Sequence, residues 1–251
     1  MTIGGNAANI EFCIVHASAD PRQFKNRLLS GLPDADQARL LGKMRLVSYG
    51  GRKVLYELGE PIEEVYFPES AVISLLQIMN DGTSLAIAAI GNEGMLGLPI
   101  FLGEKGPVAK AVMQIAGQAH CLPAVRFKSE LEQSPALRRL VKQYTHAFVV
   151  QIVRSAGCNL FHSVRQRCAQ WLLMIHDRAA IDEFSFTHGY LADMLGRIQR
   201  QTATVTLQRL EMANIIQSRR GKIRIANRKG LETVSCECYW SVKREFDRMA
   251  E

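Results

Sequence analysis

The chain has 251 residues, of which 47% are hydrophobic and 22% charged, with a formal net charge of +7. That balance suits one large or two ordinary globular domains with a real core, and it excludes a disordered or low-complexity chain. Residues 163–251 hold 15 basic and 10 acidic side chains against 16 and 14 in residues 1–162, so the excess sits in the C-terminal part, as an acidic partner would require.

Residues 1–20 show no clear periodicity and read as a lead-in. Residues 21–133 are expected to form an antiparallel β-roll. Its first stretch, 21–47, holds one or two short helices, because Leu28, Leu29, Leu40, Leu41 and Met44 recur at helical spacing around the breaker Gly31-Leu32-Pro33. Ten of the 19 glycines then fall in residues 48–123, separating the apolar runs KVLYEL, EVYFPE, AVISLLQI, LAIAAI and VMQIAG. Short strands punctuated by Gly, Pro and Asn80-Asp81-Gly82 turns point to an antiparallel roll or barrel.

Residues 134–160 are expected to form a long helix, with Ser134 as N-cap and Pro135 in the first helical position. It would be roughly 40 Å long at 1.5 Å per residue. Leu137, Val141, Tyr144, Phe148 and Ile152 form one stripe, and Val149, Val150 and Val153 extend the apolar surface around the circumference. Such a helix needs cover on two sides. A second copy of the chain supplies it if this is a dimerisation helix; a single core helix in a monomer is the alternative. Gly157-Cys158-Asn159 is expected to break or bend the helix.

Residues 161–251 open with VRQRCAQWLLMIHDRA, whose Val164, Cys168, Trp171, Leu172 and Ile175 share a face. The next stretch, 187–225, reads as helix, turn, helix and basic hairpin. Thr187 is a candidate N-cap, Leu191, Met194 and Leu195 an inward face, and Gly196 a turn. In the second helix Ala203, Leu207 and Leu210 must face the core. Arg200, Gln201, Thr204 and Gln208 then face outward, where Arg can grip guanine, Gln can grip adenine and Thr can touch a phosphate or a thymine methyl. Arg219, Arg220, Lys222 and Arg224 project from the hairpin as a wing against phosphates. From Arg197 to Lys229 there are nine Lys or Arg and a single acid, Glu211. That density on this pattern makes double-stranded DNA the leading partner. The chain ends with another amphipathic helix.

These residues resemble the Crp/Fnr family of bacterial transcription regulators over about 25–240. The resemblance rests on Gly51, Gly59-Glu60, Tyr66-Phe67 and the run Gly91-Asn92-Glu93-Gly94-Met95-Leu96-Gly97 in the roll. In the reader it rests on Leu191-Ala192, Leu195-Gly196, Arg200, Leu210-Glu211 and Arg220-Gly221-Lys222-Ile223. It implies an α+β architecture: a cyclic-nucleotide-binding-like jelly roll, a dimerisation helix and a winged helix-turn-helix. It also implies a homodimer on a near-palindromic site, with recognition helices about 34 Å apart, and contact with RNA polymerase. By position, Arg200 matches the family's guanine reader and Gln201 the base reader beside it, while Thr187, Gln199 and Thr202 match backbone-contacting positions. One extra residue lies between Gly196 and Arg200. Val205 replaces a second base-reading arginine, so a different operator is expected.

The effector positions depart further. Where cyclic AMP binders carry Glu after Gly97, this chain has Leu98, and the Arg-Ser pair becomes Lys110-Ala111. The ribose partner is lost, and lysine lacks the two-point grip of arginine, so cyclic AMP is not expected, and a response of the roll to an unidentified effector stays open. Only Cys13 precedes residue 121, which leaves no N-terminal four-cysteine iron–sulfur cluster. Cys236-Glu237-Cys238 lacks ligands nearby in sequence and reads as two packing or surface thiols rather than a redox or metal pair. No metal or cofactor is expected.

No nucleophile–base pair, paired carboxylates or phosphate-cradling loop suggests an enzyme. A small-molecule sensor signalling through protein contacts stays open as an alternative. No run of about 18 apolar residues indicates a membrane span. The start MTIGGNAANIEF lacks a secretory pattern, and the six scattered cysteines fit a reducing cytoplasm.

Overall fold

Short apolar runs between turn residues do become strands. The computed structural model describes residues 24–185, 191–192, 194–195 and 198–249; the lead-in, the Thr187 cap and the Gly196 turn lie outside them. Helices α1 (Arg27–Ser30) and α2 (Asp34–Leu41) flank the Gly31-Leu32-Pro33 breaker and bury Leu28, Leu29 and Leu40. Strands β1 (Arg45–Tyr49), β2 (Val54–Tyr56), β3 (Glu64–Pro68), β4 (Val72–Ile78), β5 (Ser84–Ile90), β6 (Lys110–Ile115) and β7 (Gly117–Pro123) follow, with a short α3 (Leu98–Phe101) before β6. They pair antiparallel in two sheets, β1-β7-β3 and β2-β6-β4-β5. Asn80-Asp81-Gly82 turns the β4–β5 hairpin, with the Met79 N–H donating to the Thr83 carbonyl at 2.8 Å.

The two sheets share one apolar cluster that includes Val47, Val65, Phe67, Ile73, Ala88, Met113 and Cys121. The four-stranded sheet is also covered on its other face, where Val72, Ala86 and Ile115 join the core of the C-terminal domain. Burial on both faces explains why β4 reads as a continuous apolar run instead of an alternating one. The Gly91–Gly97 loop packs too tightly for a side chain at its glycines. A Cβ at Gly94 would sit 2.0 Å from the Tyr144 ring, and one at Gly91 would sit 2.4 Å from the Arg178 side chain.

Helix α4 (Ala124–Gln133), absent from the sequence expectation, ends at Ser134. There the Ser134 hydroxyl accepts from the Leu137 N–H at 3.0 Å and starts α5 (Pro135–Phe161), as the Ser-Pro signal predicts. The expected break at Gly157-Cys158-Asn159 does not occur. A mid-helix glycine costs only about 1 kcal/mol, and the buried Cys158 side chain holds the last turn down. The stop comes at His162, before Ser163 and Gln166 form a reciprocal capping box for α6 (Val164–Ala179).

The predicted dimer stripe also needs correcting. Leu137, Val141 and Tyr144 are fully buried against the chain's own roll, and Phe148 and Ile152 pack partly on it. The outward apolar residues are instead Val149, Val153, Leu160 and Phe161, exposed by 52%, 64%, 80% and 82%.

Beyond α6 come β8 (Glu183–Ser185), α7 (Arg200–Met212), β9 (Ile216–Arg219), β10 (Lys222–Ile225), α8 (Arg228–Val234) and α9 (Glu237–Arg248). The wing is three-stranded, in the order β8-β10-β9. Helix α9 returns to the N-terminal half: Val242 and Phe246 join the roll's core, and Arg27 donates to the Phe246 carbonyl at 2.8 Å. Among the described residues no helix is long and apolar enough to cross a membrane.

Candidate nucleic-acid interface

Helix α7 divides as its sequence predicts. Ala203, Leu207 and Leu210 are buried against Leu191, Met194 and Leu195 of the preceding segment and against α6. Arg200, Gln201, Thr202 and Gln208 are exposed, and Thr204 is half-buried with its hydroxyl donating to the Arg200 carbonyl at 3.0 Å. Gln199 is the exposed N-cap, and its side chain makes no capping bond. Neither Arg200, Arg219 nor Arg220 makes an ion pair with a described residue. Thr187 lies outside the described residues.

The wing follows from alternation. Ile216, Ile223 and Ile225 point inward and are buried, which leaves Arg219, Lys222 and Arg224 on the other face. Arg219 pairs with Lys222 across a two-residue loop, Arg220-Gly221, with φ of +50° and +76°. Two positive φ values are what a hairpin turn matched to strand twist requires, and the first is usually Asn, Asp or Gly. Placing Arg there costs on the order of 1 kcal/mol. The strain holds a cation at the outermost point of the hairpin.

Acids set the limits of this surface. Glu211 accepts from the Ser218 N–H at 2.6 Å and so braces β9 against α7. Lys222 is not free: its ammonium lies 2.8 Å from the Glu183 carboxylate, which it holds below the usual carboxylate range. Sequence reasoning missed both Glu183 and the two further exposed cations Arg165 and Arg209. These line a shallow cleft with Ser163, Gln201, Thr202 and Val205. Arg165 lies outside the charge-dense run, so nothing in the sequence marks it.

The residues singled out as effector contacts separate. Gly97 and Leu98 line a cavity of about 260 Å³ between the roll and α5, together with Leu75, Ile90, Phe148 and Ile152. Lys110 and Ala111 do not line it. Ala111 is buried, and Lys110 sits 2.5 Å from Glu57. The cavity's own hydroxyls are engaged: Tyr56 donates to the Glu64 carbonyl at 2.5 Å and Thr145 to the Val141 carbonyl at 2.7 Å. Burial pushes the Tyr56 phenol well above its usual range, so it stays a donor. Among the described residues no cation lines this space.

Roll, long helix and reader meet at one buried polar junction. Arg178 of α6 donates to Glu93 at 2.6 Å and to the Gln151 side-chain oxygen at 2.5 Å, and Gln151 in turn donates to the Ala89 carbonyl at 3.0 Å. All three side chains are buried. Gly91 leaves the space that Arg178 occupies.

Comparison with known proteins agrees with this arrangement. The model of the Crp-like helix-turn-helix domain matches residues 166–234. No curated protein matches the chain by sequence. Among solved structures, FixK2 from Bradyrhizobium japonicum is similar at 17% identity and a TM-score of 0.65, covering 77% of this chain and 98% of its own. The c-di-GMP responsive global regulator CLP of Xanthomonas campestris is similar at 15% identity and 0.61, covering 77% and 99%. A Crp/Fnr-family protein from Eubacterium rectale is similar at 16% and 0.61, covering 82% and 96%. At these identities the likeness shows a shared fold.

Proposed function

We propose that this chain is a Crp/Fnr-type transcriptional regulator, a reading its Crp-like helix-turn-helix match and its fold support, and that it acts as a homodimer that reads a near-palindromic duplex. The observation that carries this reading is the outward face of α7. Arg200, Gln201 and Gln208 stand exposed on a helix whose other side is sealed, beside a wing whose tip is Arg220. Arg200 reads guanine through two hydrogen bonds. Gln201 and Gln208 read neighbouring base edges, and Gln199, Thr202, Thr204, Arg219, Arg220 and Lys222 fix the register on the phosphates. Lys222 must exchange Glu183 for phosphate, so its contribution is the smallest of the wing cations. RNA polymerase is the second macromolecular partner of this reading, by resemblance.

The dimer rests on the outer stripe of α5. Val149, Val153 and Leu160 recur at helical spacing and are exposed, and a second copy of α5 would cover them isologously. The roll is not built for cyclic AMP: Leu98 replaces the ribose partner, and Lys110 is held by Glu57 away from the cavity. The Xanthomonas neighbour responds to c-di-GMP, but without a cation this cavity would leave such phosphates unpaired. An effector of this cavity is small and apolar.

Selection of bound fragments from random duplexes, followed by fluorescence anisotropy across a salt series, tests the reading. The expected result is an inverted repeat whose affinity falls steeply with salt. Absence of salt-dependent duplex binding overturns it in favour of a sensor acting through protein contacts. Val153→Glu is expected to give a monomer by sedimentation and to lose the two-half-site complex.

A further inference from the structure

Four metal-ligating side chains, far apart in sequence, converge at the elbow where the long helix ends. Cys158 lies in the last turns of α5 and His162 caps its C-terminus. Cys236 caps the N-terminus of α9, and Cys238 sits in its first turn. One ligand atom from each lies within 4.8 Å of the other three. The Cys158 and Cys236 sulfurs are 3.5 Å apart, and Cys238 Sγ is 3.7 Å from His162 Nδ1. Tetrahedral zinc, with bonds of about 2.3 Å to sulfur and 2.0 Å to nitrogen, sets its ligand atoms about 3.5–3.8 Å apart. Two edges of the cluster already have that length.

The surroundings fit the same geometry. His162 Nε2 lies 3.1 Å from the Glu237 carboxylate, which fixes the ring so that Nδ1 faces the sulfurs. A carboxylate behind the outer nitrogen is the usual support of a metal-bound histidine. The three cysteines are buried and form an apolar cluster of their own, separate from both domain cores. Packing alone gives no reason to gather three thiols and an imidazole there. A single disulfide would use two of the thiols and leave the third sulfur and the histidine without a role.

We propose that Cys158, His162, Cys236 and Cys238 form a closed tetrahedral site for a thiophilic divalent metal, with zinc the ion that fits. Binding displaces three thiol protons to solvent, and the imidazole binds as the neutral base, so the loaded site carries a net charge of −1. Four protein ligands leave no open position, which makes the site structural and not catalytic. In the metal-free chain the Cys158 and Cys236 thiols donate to the Gln170 oxygen at 2.8 and 3.3 Å. Turning that amide over presents its N–H donors to the thiolates once metal is bound. The ion pins the start of α9 to the end of α5, while the far end of α9 is set in the roll through Val242 and Phe246. The metal therefore clamps the strap that fixes the reader against the dimer helix.

The full chain, purified under reducing conditions, is analysed for metal by mass spectrometry and then refolded or exchanged with Co²⁺. One zinc per chain is expected, with the intense visible bands of thiolate-bound tetrahedral cobalt. Cys236→Ser, Cys238→Ser and His162→Ala are each expected to lose the cobalt spectrum, while Cys121→Ala keeps it. Glu237→Ala should keep the spectrum and weaken zinc binding about 10-fold or more. Far-UV circular dichroism of the ligand variants separates metal loss from misfolding: loss of metal with helicity kept supports the site. A chain that binds no stoichiometric zinc overturns the proposal. So does zinc retained by folded Cys236→Ser and Cys238→Ser together, or a Cys158–Cys236 disulfide found on alkylation of freshly isolated protein. None of these outcomes depends on whether the chain binds DNA.

Discussion

The roll and the outward surface of α7 and the wing differ in where their cations sit and what holds them. In the roll, Arg39 and Lys43 both grip the buried Glu130, at 2.9 and 2.5 Å, Arg45 pairs with Glu64 and Lys110 with Glu57. In the reader, Arg200, Arg219 and Arg220 make no ion pair with a described residue. A cation paired with a carboxylate is part of the scaffold, whereas an exposed and unpaired one keeps its field for an outside anion. Residues 1–162 hold 16 basic side chains and residues 163–251 hold 15, and the roll too has exposed cations with no ion pair to a described residue, Arg52, Lys53 and Lys105 among them, so what marks the interface is the gathering of such cations on α7 and the wing. Lys222 has the right place on the wing, but Glu183 already holds it, much as Asp177 and Glu232 hold Arg228.

The largest test of that difference is at the junction, where a buried pair belongs wholly to the scaffold. Arg178→Met leaves Glu93 charged, buried and without its cation, and should cost about 3–5 kcal/mol in urea unfolding. Adding Glu93→Gln to Arg178→Met should recover most of that loss, because no uncompensated charge then remains. A loss below about 1 kcal/mol for the single variant would mean that water reaches the site, and the contrast between halves would fail there.

The reader was more legible in the sequence than the roll was. Alternation in Lys222–Ile225, the 203–207–210 spacing and the dense positive run each also fit an ordinary solvated surface, but together they point one way, and helix and hairpin periodicities are local. In the roll, strands β1 and β7 escaped notice. GQAHCLP has glutamine, histidine and cysteine where an alternating apolar face would be sought, and only pairing with β1 and β3 makes it a strand. The stripe of α5 was visible, but not which partner it faces: Tyr144 meets Gly94, fifty residues earlier, and only the folded loop shows that the side chain is already covered. The cysteine–histidine cluster was hidden for the same reason. Cys158 and Cys236 are 78 residues apart, and no spacing rule spans that distance.

The next test is on the open face. Arg200→Ala should cost about 1–3 kcal/mol on the selected operator and relax base choice at one position in each half-site, read by anisotropy on single-base variants. The thermal midpoint should not move, because an exposed side chain that pairs with no described residue adds little to the fold. A uniform loss across all sequences would make Arg200 a phosphate contact and shift the reading to Gln201 and Gln208.

The smallest effect is expected at the wing tip, and it has opposite signs in the two measurements. Arg220 occupies a left-handed conformation that Asn adopts more readily, and Asn-Gly is the preferred pair for this two-residue turn. Arg220→Asn should therefore stabilise the hairpin by a few tenths to about 1 kcal/mol. The same change removes one exposed cation from the proposed phosphate-contacting wing. The slope of log affinity against log salt should then fall by about 1 per wing, equally for operator and random duplex. A role confined to the fold predicts the gain in stability with the slope unchanged. Gain and flattening together would show that the strain in this turn is kept for contact with DNA.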